Sequence, residues 1–190
     1  MNKPLLLLAL LGLLAVAAPA EKLDLGEGKA ALFTVPETWK PAAMPPGPSG
    51  MPALGTNVRY VTKNGSNDAV LITLIAVPDD RFADRENLRA MIEEATQQFA
   101  AGSVEGKANL TELRVGSHAG YSVAFTDASL VGKPPVKEDY KTLTSCFVYL
   151  GDKVMLTATI FSDDLSGKAY AEAFKLLKSI ALTSGKGGAI

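Results

Sequence analysis

The chain holds one histidine and one cysteine, so nucleophilic or metal chemistry has few places to reside. His118 lies in Gly116-Ser117-His118-Ala119-Gly120, which has the glycine spacing of a nucleophile elbow but the wrong residue at its centre. Ser117 is adjacent to it, and neighbouring turn side chains diverge, so His118 reads as a solvated turn residue rather than a catalytic base. Cys146 stands in Thr142-Leu143-Thr144-Ser145-Cys146-Phe147-Val148-Tyr149-Leu150. That is a strand pattern, and a lone thiol within it reads as buried and inert. Asp79-Asp80 and Asp163-Asp164 each follow a strand and precede a helix. If they met in space they could hold a cation or form an acid/base couple; helix capping and dipole compensation account for both pairs without a ligand. Residues 102–108 superficially have the look of a phosphate loop, but the stretch is one residue short, ends in Ala108 and follows a helix, so it reads as a helix stop. No Ser-x-x-Lys, paired-cysteine or His-Glu-x-x-His motif occurs. The expectation is a non-enzymatic protein with no catalytic residue, metal ligand or cofactor.

The most directive stretch is residues 1–20. Lys3 gives a positive start, residues 5–16 are almost wholly aliphatic, and Ala18-Pro19-Ala20 supplies small residues for cleavage. This reads as a secretory signal peptide. The apolar run is short of the roughly 20 residues that span a bilayer, and charged Glu21-Lys22-Leu23-Asp24 follows. The expected product is exported, periplasmic or secreted, without stable membrane insertion. Residues 21–183 are expected to form one domain, with residues 184–190 a frayed tail. A net charge of −1 argues against a nucleic-acid groove or a polybasic membrane patch.

Periodicity sets the elements. Residues 30–35 form a short apolar run closed by Pro36. Residues 36–52 interleave Pro36, Pro41, Pro45, Pro46, Pro48 and Pro52 with Gly47 and Gly50, where no regular ladder is expected. Residues 58–62 and 69–77 read as a hairpin whose loop contains Asn64-Gly65. Residues 84–101 repeat Leu88, Met91, Ile92, Ala95 and Phe99 at helical steps, with Asp84 as cap and Gly102 as a left-handed stop. Residues 110–115 and 121–127 alternate around the glycine-flanked turn, and residues 139–150 and 153–161 pair through Gly151-Asp152. A second helix opens at residues 163–166 and carries Tyr170, Ala173, Phe174, Leu177, Ile180 and Ala181. In the last hairpin Leu143, Phe147 and Tyr149 point one way and Cys146, Val148 and Leu150 the other, so both sheet faces want cover. An α+β fold follows, an antiparallel sheet flanked by helices.

The stretch Phe33-Thr34-Val35-Pro36-Glu37-Thr38-Trp39, the Gly120-Tyr121 strand start, the long final hairpin and a terminal helix with Phe174, Leu177 and Ile180 together resemble the PsbP-like family. Its α/β/α sandwich occurs in photosystem extrinsic proteins, a yeast nuclear Ran-binding protein and DcrB-like exported bacterial proteins. The resemblance implies that fold and an accessory or binding role.

A contact surface is expected on the proline-stiffened segment, with Trp39, Met44 and Met51 as partner-contact residues, because a stiff loop bearing apolar groups loses little entropy on docking. The partner expected is another envelope or secreted protein. The alternatives are a small-ligand carrier with a pocket between sheet and helix, and a hydrolase of unrecognised type.

Overall fold

Alternating side chains, rather than any motif, build this fold. The computed structural model describes residues 20–45 and 55–184. Among these, the order is β1 (Ala20–Gly26), β2 (Lys29–Thr34), β3 (Trp39–Ala42), β4 (Thr56–Thr62), β5 (Ala69–Ala76), α1 (Arg85–Ala100), β6 (Thr111–Val115), β7 (His118–Thr126), β8 (Thr142–Tyr149), β9 (Val154–Ser162), α2 (Lys168–Lys178) and β10 (Ala181–Ser184). A seven-stranded antiparallel sheet runs β3-β4-β5-β9-β8-β7-β6, and a three-stranded sheet runs β1-β2-β10.

The final hairpin is as the alternation demands. Leu143 pairs with Phe161 and Cys146 with Ala158, and the two faces of β8 feed separate cores. On one, Cys146 and Val148 pack with Ile72, Leu156, Ile160 and the buried stripe Ala173, Leu176, Leu177 of α2. On the other, Tyr149, Tyr121, Val123, Phe125 and Met155 pack with Leu88 and Ile92 of α1. The small sheet closes the α2 side, where Phe33 meets Tyr60 edge-on at 6.1 Å. The result is a layered α+β sandwich. Inside β7, a Cβ on Gly120 would stand 2.2 Å from the Phe147 carbonyl oxygen, so only glycine lets β7 and β8 lie this close.

Several expectations shift at element boundaries. Trp39–Ala42 is a strand despite Pro41, because it forms the sheet edge, where a missing donor is tolerated. Asp84 caps α1 as expected, accepting from the Glu86 and Asn87 amides, whereas α1 ends at Ala101 in right-handed geometry and Gly102 is not left-handed. α2 starts at Lys168 rather than at the Asp163-Asp164 pair and ends at Lys178. Ala181 belongs instead to β10, where it pairs with Leu32, and Ser184, expected in the tail, pairs with Lys29. Ala20, the last residue of the expected leader, opens β1 opposite Thr34. The polar composition of β1 concealed it; it is an exposed edge that contributes mainly Leu23 and Leu25 to the core.

Candidate functional site

The residues singled out for chemistry do not converge. His118 begins β7 opposite Val115, so the turn is only Gly116-Ser117, and the imidazole lies near Gly151 of the β8–β9 turn. The two acidic pairs lie at opposite ends of the β5–β9 ladder and cannot meet: Asp80 accepts from the Tyr149 hydroxyl near one end, whereas Asp163 and Asp164 follow Ser162 at the other. Asp79 is bound to Arg81 at 2.9 Å, and that guanidinium holds its carboxyl below the usual range. Cys146 is fully buried, and burial pushes its thiol up to about 12.

Trp39 is 2% exposed, which removes its indole from any contact surface. Its ring packs in the α2-side core, and its Nε1–H donates to Glu172 at 3.2 Å, beside the Thr38 hydroxyl at 2.6 Å. Burial opposes ionisation of Glu172, but these two donors and the Lys168 charge outweigh it and hold the carboxyl below its ordinary range. Met44 is exposed. Met51 lies outside the described residues.

A hollow of about 640 Å³ lies on the α2 side beside Leu113, Ser122 and Phe174, and a wider concave surface adjoins the α1-side face. α1 contacts mainly β7 and β8. Beyond it, Arg59 and Val61 of β4, Leu71 of β5, and Thr157 and Thr159 of β9 are half-buried on the same face. This half-open face runs into a cleft of about 900 Å³ bounded by Lys40, Arg59, Asn67, Asp68, Tyr140 and Asp163. On the other side of the Tyr140–Phe161 ring pair, 4.9 Å apart, is a smaller hollow of about 350 Å³ walled by Phe99, Phe125 and Leu143.

Asn67 fixes the cleft. Its side-chain amide donates to the Val136 carbonyl at 3.1 Å and to Asp163 at 3.0 Å, and its oxygen accepts the Glu138 amide at 2.9 Å. Asp163 also accepts the Lys141 amide at 2.9 Å. The β4–β5 turn thereby ties down the long loop before β8 and sets Tyr140 over the face, where its hydroxyl accepts from Arg59 at 3.2 Å. Neither Asn67 nor Arg59 stood out in the sequence. Asn67 sits in an ordinary turn stretch, and Arg59 is one polar position in an alternating strand.

No family profile and no curated protein matches this sequence. The structure is similar to that of the cyanobacterial PsbP of Synechocystis sp. PCC 6803, with a TM-score of 0.50 at 11% identity, covering 93% of this chain and 99% of that one. The fold is PsbP-like. The Ran-binding protein Mog1p of Saccharomyces cerevisiae is similar at a TM-score of 0.45 and 16% identity, over 88% of this chain and 96% of that one. At 11% identity the likeness to PsbP is one of fold alone.

Proposed function

We propose that this protein is an exported, non-enzymatic accessory protein that works by contact with another envelope or secreted protein. The contact is made on the open half of the α1-side face. The observation that carries this reading is the incomplete cover of that face, where Arg59, Val61, Leu71, Thr157 and Thr159 stay half-buried beyond the reach of α1. The apolar part of such a face, Val61 and Leu71, gains from further burial, whereas its polar residues call for a partner that can bond to them. The cleft beside it is wide and polar at its rim, whereas a small-molecule pocket wraps most of its ligand. A protruding segment of a partner protein suits such a surface. The distant His118 and the buried Cys146 support binding over covalent catalysis. Export rests on the leader of residues 1–20. A carrier reading has one specific support, the apolar hollow between the end of α1 and the sheet.

The test is a photoreactive benzoylphenylalanine placed at Thr157 on the open face, with a control at the exposed Lys175 on α2. Irradiation of the exported protein in its own cells is expected to give a discrete crosslinked species from position 157 and none from 175. Crosslinks from 175 alone, or none from 157, would contradict the reading.

A further inference from the structure

Arg59 projects from β4 onto the open face, half-buried, and its guanidinium meets only neutral oxygens. It donates to the Ala43 carbonyl at 3.2 Å and to the Tyr140 hydroxyl at 3.2 Å. All 20 Asp and Glu side chains of this chain lie within the described residues. None forms an ion pair with Arg59, or with Lys40, its diagonal neighbour across the β3–β4 register. Of the carboxylates lining the cleft, Glu138 is solvent-exposed and bonds to Asn67 only through its backbone amide, whereas the other three are engaged. Asp68 accepts from the Ser66 and Ser162 hydroxyls at 2.7 and 2.6 Å, Asp163 from Asn67 and the Lys141 amide, and Asp164 from the Ser166 amide and hydroxyl at 2.8 and 2.6 Å.

A guanidinium carries five N–H donors in a planar fork that matches a carboxylate. A half-buried one without a counter-ion bears a desolvation cost that an incoming carboxylate would offset. Beside Arg59 the floor is apolar, with Ala42 and Leu71 directly opposite it on the neighbouring strands and Val61 two residues along. We infer that Arg59 and Lys40 form a recognition site for an acidic peptide segment, seating an Asp or Glu carboxylate of the partner. This rests on the contact-surface reading above and supplies its chemistry. A segment of protein rather than a free small anion is favoured because the cleft is open, about 900 Å³, and floored with apolar groups that inorganic anions do not use.

The test uses the purified protein and a capped Asp-Glu-Leu-Asp-Glu peptide, followed through the Arg59 Nε–H and the Ala42 and Tyr140 amides in ¹H–¹⁵N spectra. Saturable shifts confined to these signals are expected, weakened at least tenfold in Arg59→Gln and in 1 M salt. Leu71→Glu, which sets a carboxylate directly opposite Arg59, should also abolish them. It keeps the test decisive if Arg59→Gln fails to fold. The absence of local shifts, shifts unchanged in both variants, or shifts with inorganic phosphate and none with the peptide would overturn the assignment. Because no cell extract is involved, failure here would leave the Thr157 crosslinking result standing on its own.

Discussion

Glu172 shows how one side chain decides what the sequence's most conspicuous residue does. By accepting from Thr38 and the Trp39 indole, it holds the tryptophan in the core rather than on the surface. Glu172→Ala would leave a buried indole N–H unpaired and should cost about 1–3 kcal/mol, measured by urea unfolding, with Glu172→Gln costing less because it keeps an acceptor. The carboxyl's folded-state pKa is lowered, so its contribution is present above the unfolded value of about 4.3 and is lost as pH falls through the folded value. The wild-type advantage over Glu172→Gln should therefore shrink below about pH 4.3; an advantage that grew on acidification would refute this. Cys146, fully buried and raised to about 12, should resist thiol reagents in the native protein and react at once when unfolded. The strand alternation exposed the burial of Cys146 in advance. Nothing local could do so for Trp39, since its partner lies far along the chain on α2.

At the scale of elements, the Asn67 clasp makes a specific claim. Asn67→Ala removes the bonds that hold the loop before β8, so trypsin should cleave at Lys137 and Lys141 much faster than in wild type. Global stability should fall by only about 1–2 kcal/mol, because the side chain is not fully buried. Unchanged proteolysis would mean the loop is held by something else. Core dependence also divides by burial. Leu176→Ala, at a fully buried α2 position, should cost about 2–5 kcal/mol, and Phe147→Ala, half-buried on the α1 side, distinctly less than its ring size suggests. The last hairpin, α1 and the Asp84 cap were legible because their patterns are local and strong. β1, β3 and β10 were not, because each is short, polar or proline-bearing and becomes a strand only through a partner distant in sequence. Arg59 shows the same limit: its place on a strand was readable, whereas its lack of a carboxylate partner exists only in three dimensions.

For the whole molecule, the layered sheet buries acidic protons on the α2 side. Tyr60 is raised by burial and then by the bond and charge of Glu21, and Cys146 by burial alone. Both keep their protons in the folded state at pH values where the unfolded chain releases them, so folding stability from these groups is intact below about pH 8.5 and falls as pH rises above it. Tyr60→Phe with Cys146→Ala should flatten the alkaline decline in melting temperature, and an unchanged slope would place its origin elsewhere. The two faces of the sandwich differ in cover: one is packed under α2 and the small sheet, with a hollow of about 640 Å³ left beside Leu113, Ser122 and Phe174, and the other is covered only in part by α1. The direct measurement compares capture of the species crosslinked at position 157 by wild type, by Thr157→Arg on the open face and by Ala171→Arg on exposed α2, each first verified as folded by its melting curve. Loss of capture in Thr157→Arg with full capture in Ala171→Arg is the predicted result; equal capture by both variants would contradict it.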